Sequence, residues 1–119
     1  MKKDKITMAK RYVQTLDLVD DPELVDFYVK AHSPLEIWPE IVAGIKEVGI
    51  TRMDIYRDGT RLVMIMEAPD DFDFDAAMAR MATLPRQQEW EEYVGRAQQC
   101  DPSATSAGKW RMMSQIFEL

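Results

Sequence analysis

Residues that bind metals or form disulfides are scarce in this chain. Its 119 residues include a single cysteine, Cys100, and a single histidine, His32. A lone cysteine excludes an internal disulfide and fits a reducing compartment, so we expect a cytoplasmic protein. One histidine and one cysteine cannot build a zinc site of the usual kind. A carboxylate site for Mg²⁺ or Ca²⁺ stays open as an alternative, but there is no P-loop or EF-hand pattern, and we expect no bound metal.

Long apolar runs and an excess of basic charge are missing as well. The longest apolar run is LVMIM at 62–66, which is too short to span a bilayer. Fifteen basic and 21 acidic residues give a net charge of −6. This balance argues against nucleic acid or an anionic membrane as a partner, because both reward clustered Lys and Arg. The charged stretch 1–7 leads into no apolar segment, so we expect no secretory signal.

The residues that are present predict one folded domain over 1–119. Hydrophobic residues make up 46% and charged residues 30%, which is the balance of a globular protein of one-domain size. The patterns predict a strand at 10–19, helices at 20–32 and 36–49, a hairpin at 51–69 with its turn at Asp58-Gly59, helices at 70–82 and 85–98, and a closing strand at 110–119.

This order of elements matches the split βαβ pattern of the ferredoxin-like fold. That fold is an α+β domain in which helices cover one face of an antiparallel sheet. We expect the second face to carry the apolar residues Val13, Met53, Ile55, Met64 and Met113. Because such a face is too apolar to remain in water, we expect a homodimer that pairs two sheets, a ligand cavity against the sheet, or both.

Tyr28 and His32 lie four residues apart at the end of the first predicted helix, so their side chains share one face. The carbonyls of a helix C-terminus favour an imidazolium, and we expect the pKa of His32 at or above its ordinary value of about 6.5. An imidazole beside a phenol can then donate and accept protons. The alternative interpretation is that His32 only caps the helix and Tyr28 packs beside it.

Three tryptophans, Trp38, Trp90 and Trp110, are large aromatic residues in a small chain. Indoles stack on the apolar faces of sugars, and their N–H groups can bond a hydroxyl. The alternative for each of them is packing in the core.

The pattern Tyr28-x-x-x-His32, followed by Ile-Trp-Pro-Glu at 37–40, resembles the signature of the L-rhamnose mutarotase family. The resemblance continues through QEWEEYV at 88–94 and SQIFEL at 114–119, and it covers nearly all of the chain. It implies a dimeric α/β barrel that interconverts the α and β anomers of a 6-deoxy sugar. It also implies that His32 is the proton donor, that Tyr28 touches the sugar and that Trp90 lines the same pocket.

Three departures from the family pattern change the expected substrate. Two extra residues lie between His32 and Trp38, Met53 stands where those enzymes place a sugar-contacting tyrosine, and Glu91 replaces the second of two adjacent tryptophans. The sequence looks closer to a branch associated with L-fucose. We expect Trp38 and Glu91 to contact the sugar as well, Glu91 by accepting hydrogen bonds from two hydroxyls. The alternative is that Glu91 faces solvent on its helix.

The mechanism implied by the resemblance needs no cofactor. A His32 imidazolium would protonate the ring oxygen, and Tyr28 or a water molecule would complete the relay. Two other classes of function stay open at this point. One is a non-catalytic dimeric domain that binds a small ligand. The other is a cofactor-free monooxygenase, because such enzymes also use dimeric ferredoxin-like barrels.

Overall fold

The computed structural model describes residues 9–119. We expected the charged stretch 1–7 not to be a secretory signal, and this stretch lies outside the described residues. The described elements, in chain order, are β1 Lys10–Asp17, α1 Pro22–Ala31, α2 Pro39–Glu47, β2 Arg52–Asp58, β3 Arg61–Ala68, α3 Phe74–Met81, α4 Gln87–Gly95, α5 Ser106–Lys109 and β4 Arg111–Met112.

The strands form one antiparallel sheet in the order β2-β3-β1-β4. Helices pack against one face of this sheet, and the predicted α+β, ferredoxin-like architecture is confirmed. No helix within residues 9–119 combines the length and the apolar character needed to cross a membrane.

Helix α1 lies within the predicted range 20–32 and runs from Pro22 to Ala31. The Asp21 carboxylate accepts hydrogen bonds from the backbone N–H groups of Glu23 and Leu24, and Pro22 occupies the first turn, where no N–H is needed. His32 is the C-cap residue of the helix. The helix therefore carries Tyr28 on its buried side and presents His32 at its end.

The predicted hairpin is confirmed, with its turn one residue later than expected. Asp58 pairs with Arg61, so the two turn residues are Gly59 and Thr60. Gly59 has a φ of 61°. A positive φ at the first turn position suits glycine and matches the twist of the two flanking strands.

The sheet buries alternate residues against the helices. In β3 these are Leu62, Met64, Met66 and Ala68. Residues directly opposite each other in an antiparallel pair share a face, and Met64 lies opposite Ile55 while Met66 lies opposite Met53.

Our assignment of Met53, Ile55 and Met64 to the second face is therefore wrong. The register places all three under the helices, because neighbouring strand residues point to opposite faces. Val13 was assigned correctly, since it lies opposite Ile65 rather than Met64.

We call the side away from the helices the open face. Its uncharged residues within 9–119 are Val13, Thr15, Tyr56, Val63, Ile65 and Met113. The same face also carries charged residues, among them Arg11, Asp17, Asp54, Arg61 and Glu67.

The predicted closing strand at 110–119 is much shorter in the structure. Arg111 and Met112 pair with Thr15 and Gln14, and the Met113 N–H donates to the Val13 carbonyl. The side chains beyond that point are exposed, with fractions of 96% for Ile116, 75% for Phe117 and 110% for Leu119. The apolar pattern detected residues suited to a strand, whereas a strand also needs a neighbour to pair with.

Candidate functional site

Tyr28 and His32 contact each other at the end of α1, and we call them the proton pair. Their ring centroids are 4.4 Å apart. Nδ1 of His32 lies 2.7 Å from the backbone carbonyl oxygen of Tyr28. Because a carbonyl can only accept, Nδ1 carries the hydrogen and Nε2 of the neutral ring is a free base.

Burial lowers the pKa of His32 below the ordinary value of 6.5, and the hydrogen bond to the Tyr28 carbonyl opposes this only in part. Our expectation of a pKa at or above 6.5 is wrong. The favourable effect of the helix end is outweighed by the loss of water around the ring. The neutral form of His32 therefore predominates at pH 7.

The hydroxyl group of Tyr28 stays protonated at every ordinary pH. The ring is 4% exposed, and burial raises the pKa of the phenol well above its usual range. The side-chain amide of Gln98 donates to the Tyr28 oxygen over 3.4 Å. Since one of its acceptor positions is taken in this way, the phenol is suited to act as a donor.

An aromatic cluster holds the imidazole from the other side. The ring centroid of Trp90 lies 5.3 Å from that of His32, and the ring of Trp38 packs edge-on against Trp90 at 5.1 Å. The Arg86 guanidinium lies 4.0 Å from the centre of the Trp38 ring. Arg86 also has a left-handed backbone with a φ of 64° where α4 begins, an uncommon conformation for a residue other than glycine.

Two cavities meet at His32. The outer cavity has a volume of about 430 Å³ and the inner cavity about 80 Å³. Both are lined by His32, Ile37, Ile45, Met53 and Ile55. Ligand sites usually measure about 300–1,000 Å³, so the volume of the outer cavity is in the range of a small-molecule site.

The inner cavity collects most of the predicted site residues. Its lining includes Tyr28, Trp90, Glu91 and Trp110, together with two polar residues that the sequence did not point to, Gln87 and Gln98. Trp38 lines neither cavity and lies behind Trp90.

Glu91 is buried, with 6% of its surface exposed, so the alternative that it faces solvent is wrong. Its carboxylate lies 3.1 Å from the ammonium group of Lys109 and accepts a hydrogen bond of 2.6 Å from the Gln87 amide. Burial raises the pKa of Glu91, and Lys109 is the strongest opposing influence. The spacing of Gln87 and Glu91 on one helix could have indicated their contact, but no local pattern connects them to Lys109.

Together these groups can perform proton transfer and hydroxyl recognition. An imidazole, a phenol and a buried carboxylate line a small space whose remaining walls are mainly apolar and aromatic, with the polar side chains of Gln87, Gln98 and Ser106 among them. In the part of the chain that the structure describes, no three His, Cys, Asp or Glu side chains gather closely enough to hold a metal ion.

A protein-family model described as L-rhamnose mutarotase matches residues 11–119. An L-fucose mutarotase of Xanthomonas campestris pv. campestris is 42% identical over 110 residues, which are 92% of this chain and 88% of that protein. A UPF0734 protein of Dictyostelium discoideum is 36% identical over 114 residues, or 92% of this chain and 90% of its own.

Two solved structures resemble the fold. An L-rhamnose mutarotase from Formosa agariphila superposes with a TM-score of 0.63 at 14% identity, and covers 92% of this chain and 98% of its own. The tetracenomycin F2 cyclase of Streptomyces glaucescens, a type-II polyketide cyclase, gives a TM-score of 0.58 at 18% identity with the same coverage. At these identities the likeness concerns the fold alone.

Proposed function

The chain belongs to the L-rhamnose mutarotase family, an isomerase family, and we propose that it interconverts the α and β anomers of L-fucose by opening the ring at His32. The observation that carries this proposal is the contact of Tyr28, His32 and Trp90 at the junction of the two cavities. The family match favours this reaction over a monooxygenase or a purely binding role.

Mutarotation needs a proton to leave the anomeric hydroxyl and a proton to reach the ring oxygen. Because His32 is neutral at rest, Nε2 first takes the proton of the anomeric hydroxyl. The bond between C1 and the ring oxygen then breaks, C1 becomes an aldehyde, and the imidazolium returns its proton to the ring oxygen. The aldehyde rotates and the ring closes on its other face by the same steps in reverse.

This sequence differs from the one that the family resemblance implied, in which an imidazolium acts first. Starting from the neutral ring, one histidine serves as base and then as acid, and it ends each cycle unchanged. The protonated phenol of Tyr28 donates a hydrogen bond that supports the charge on the opening sugar. No cofactor takes part in these steps.

Trp90 and the apolar lining supply the surface for the sugar ring and its methyl group. The indole offers a flat face for the apolar side of the ring. Met53, which lines both cavities, offers an adaptable apolar surface for the methyl group. Trp38 supports this arrangement by holding Trp90 in place.

L-Fucose is proposed over L-rhamnose for two reasons. The relative named for L-fucose is 42% identical over most of the chain. Met53 and Glu91 also line the inner cavity at positions where the rhamnose enzymes have a tyrosine and a tryptophan, so the groups available to bond sugar hydroxyls differ from those of the rhamnose enzymes. A site built to bond a hydroxyl rejects its misplacement more strongly than an apolar contact does.

The test is NMR magnetisation exchange between the two anomer signals of L-fucose, L-rhamnose and D-galactose at equilibrium, with and without protein. We expect exchange to be fastest with L-fucose. Faster exchange with L-rhamnose would overturn the substrate assignment, and no exchange with any of the sugars would overturn the reaction. Oxygen uptake, measured in parallel, would indicate the monooxygenase alternative.

We also propose that two chains pair through their open faces. The open face carries apolar residues at 13, 63 and 65, and the exposed tail at 116–119 adds three more apolar side chains. Val13 and Ile65 lie side by side at its centre. A second copy would cover both surfaces at once if each tail packed on its partner's sheet.

Light scattering tests this pairing, and we expect about twice the mass of one chain. Removing residues 114–119 should shift the mass towards one chain, because the tail then no longer crosses to its partner. Leu35→Ser is the control, since Leu35 is 96% exposed and lies outside both surfaces. A full-length monomer that still exchanges anomers would contradict the pairing.

A further inference from the structure

Glu91, in the wall of the inner cavity, forms a buried ion pair with Lys109 that the proposed proton transfers do not use. The side chain of Lys109 is wholly buried, and that of Glu91 is 8% exposed. The Lys109 ammonium donates to the backbone carbonyl of Glu91 at 2.5 Å and lies 3.1 Å from Oε1 of its carboxylate. Two donor positions of Lys109 are thus directed at one residue.

Gln87 is the third member of the cluster and donates a hydrogen bond to the Glu91 carboxylate. Its Nε2 donates to Oε2 of Glu91 at 2.6 Å. Turning the amide by 180° would set two oxygen atoms against each other, so the assignment of its nitrogen and oxygen follows from this contact. Oε1 of Gln87 is buried and has no hydrogen-bond partner among residues 9–119. The cluster therefore has an unpartnered acceptor oxygen, and the contacts that the structure gives to the Gln87 and Lys109 donors are directed at Glu91.

Folding alone gives no reason for these charges. Burying two ions costs several kcal/mol of desolvation, and apolar residues of similar volume often replace such a pair with no loss of stability. Glu91 and Gln87 line the inner cavity next to Trp90. Lys109 contacts Glu91 from a position 18 residues further along the chain. A carboxylate beside the reaction site can accept hydrogen bonds from a ligand that carries several hydroxyl groups.

We infer that Gln87, Glu91 and Lys109 form an acceptor wall that reads sugar hydroxyls as hydrogen-bond donors. In this wall Lys109 is a positioning residue, whose ammonium group 3.1 Å away holds the Glu91 carboxylate in place. The inference rests on the proposed function, since the ligand is the sugar that the proton pair acts on. The acceptor wall determines which hydroxyl arrangement is accepted, and the proton pair performs the chemistry.

Hydrogen bonds to a charged group are worth about 1.5–3 kcal/mol, which corresponds to about 10- to 150-fold in kcat/KM. A sugar that lacks the hydroxyl read by the wall should lose that factor. A sugar that lacks a hydroxyl elsewhere should not.

The experiment compares L-fucose with its 2-deoxy, 3-deoxy and 4-deoxy forms, using anomer exchange as the rate. In the wild-type protein at least one deoxy sugar should show kcat/KM reduced tenfold or more. The variant carries Glu91→Met together with Lys109→Met, which removes both charges and so avoids leaving one of them unpaired. Its KM for L-fucose should rise about tenfold or more, its kcat should change less than KM, and the penalty on that deoxy sugar should fall to about twofold.

Three controls keep the result interpretable. Thermal unfolding of the double variant should match or exceed that of the wild type. Gln87→Met should give a smaller loss against the same deoxy sugar, whereas Gln88→Met, at an exposed neighbouring position on α4, should leave the pattern unchanged. An exposed pair, Arg80 with Glu47, can be replaced by two glutamines as a charge control outside the site.

The outcomes separate this inference from the function that it rests on. A double variant that exchanges anomers with the full wild-type penalty on every deoxy sugar overturns the acceptor wall and leaves the mutarotase intact. Equal losses on all sugars also overturn it, because they indicate a structural role. If the wild-type protein exchanges no sugar, the proposed function fails, and the acceptor wall fails with it.

Discussion

Burial favours the neutral form of the titratable group at both ends of the inner cavity, but the two groups have different partners. At one end, burial lowers the pKa of His32, which makes the neutral ring the resting form. At the other end, burial raises the pKa of Glu91. Glu91 has Lys109 beside it to oppose that shift, and His32 has only a backbone carbonyl.

This comparison separates groups that must change charge from groups that must keep it. A proton-transfer residue works best when neither of its forms is strongly stabilised, so that it can be regained in each cycle. A recognition residue works best when its charge and position are fixed. The proton pair has no ion-pair partner in the described residues, and the acceptor wall has one at 3.1 Å.

Replacing His32 should remove the proton-transfer end and leave the recognition end in place. We expect His32→Ala to slow anomer exchange by about 10²–10⁴-fold, because general acid–base catalysis contributes that much. Folding should suffer little, since the side chain ends a helix and makes one hydrogen bond. His32→Gln is the matched variant, because it keeps a donor and cannot exchange protons. Wild-type exchange in either variant would reduce His32 to a helix cap.

Breaking the ion pair on one side only should mainly affect stability. Glu91→Leu leaves the Lys109 ammonium buried without its partner, which is expected to cost about 3–5 kcal/mol of unfolding free energy. The double variant with methionine at both positions should be at least as stable as the wild type. Urea unfolding of the two variants measures the difference, and equal stabilities would mean that Lys109 escapes to solvent.

Gly95 should affect the stability of the recognition end, because it packs against Pro102 in the segment that connects α4 to Lys109. A Cβ at this position would lie 2.7 Å from Cα of Pro102, which is closer than real contacts allow. We expect Gly95→Ala to cost about 1–3 kcal/mol as the loop moves away. The helical control Gly44→Ala meets its nearest atom at an ordinary 3.5 Å. Thermal unfolding compares them, and similar losses in both would remove the argument from close approach.

The proton-transfer end could be predicted from the sequence because it is local. Tyr28 and His32 share one turn of a helix whose start is indicated by Asp21 and Pro22, and their contact follows from the spacing. The hairpin and the order of elements were accessible for the same reason. The pKa direction of His32 was not, because it depends on burial by residues that are distant along the chain.

The recognition end and the sheet faces depend on contacts between distant segments. Lys109 ends α5 and contacts Glu91 of α4, because the segment between the two helices folds back. No local sequence pattern indicates this contact. Met64 was assigned to the wrong face because the relative register of separate strands, unlike the alternation within one strand, is set by their pairing. The closing strand was predicted too long because its apolar pattern does not say which edge it pairs with.

The central claim is that a neutral His32 starts each turnover, and the pH profile of anomer exchange tests it most directly. The folded pKa lies below 6.5 because of burial, so lowering the pH through and below that value protonates Nε2 and removes the base. Tyr28 does not titrate on the alkaline side, since burial raises its pKa as well. We therefore predict a rate for L-fucose that is level from pH 7 to about 8.5 and falls as the pH drops below the ordinary histidine value. A rate that instead declines as the pH rises above 6.5 would mean that the imidazolium acts first and would contradict the account.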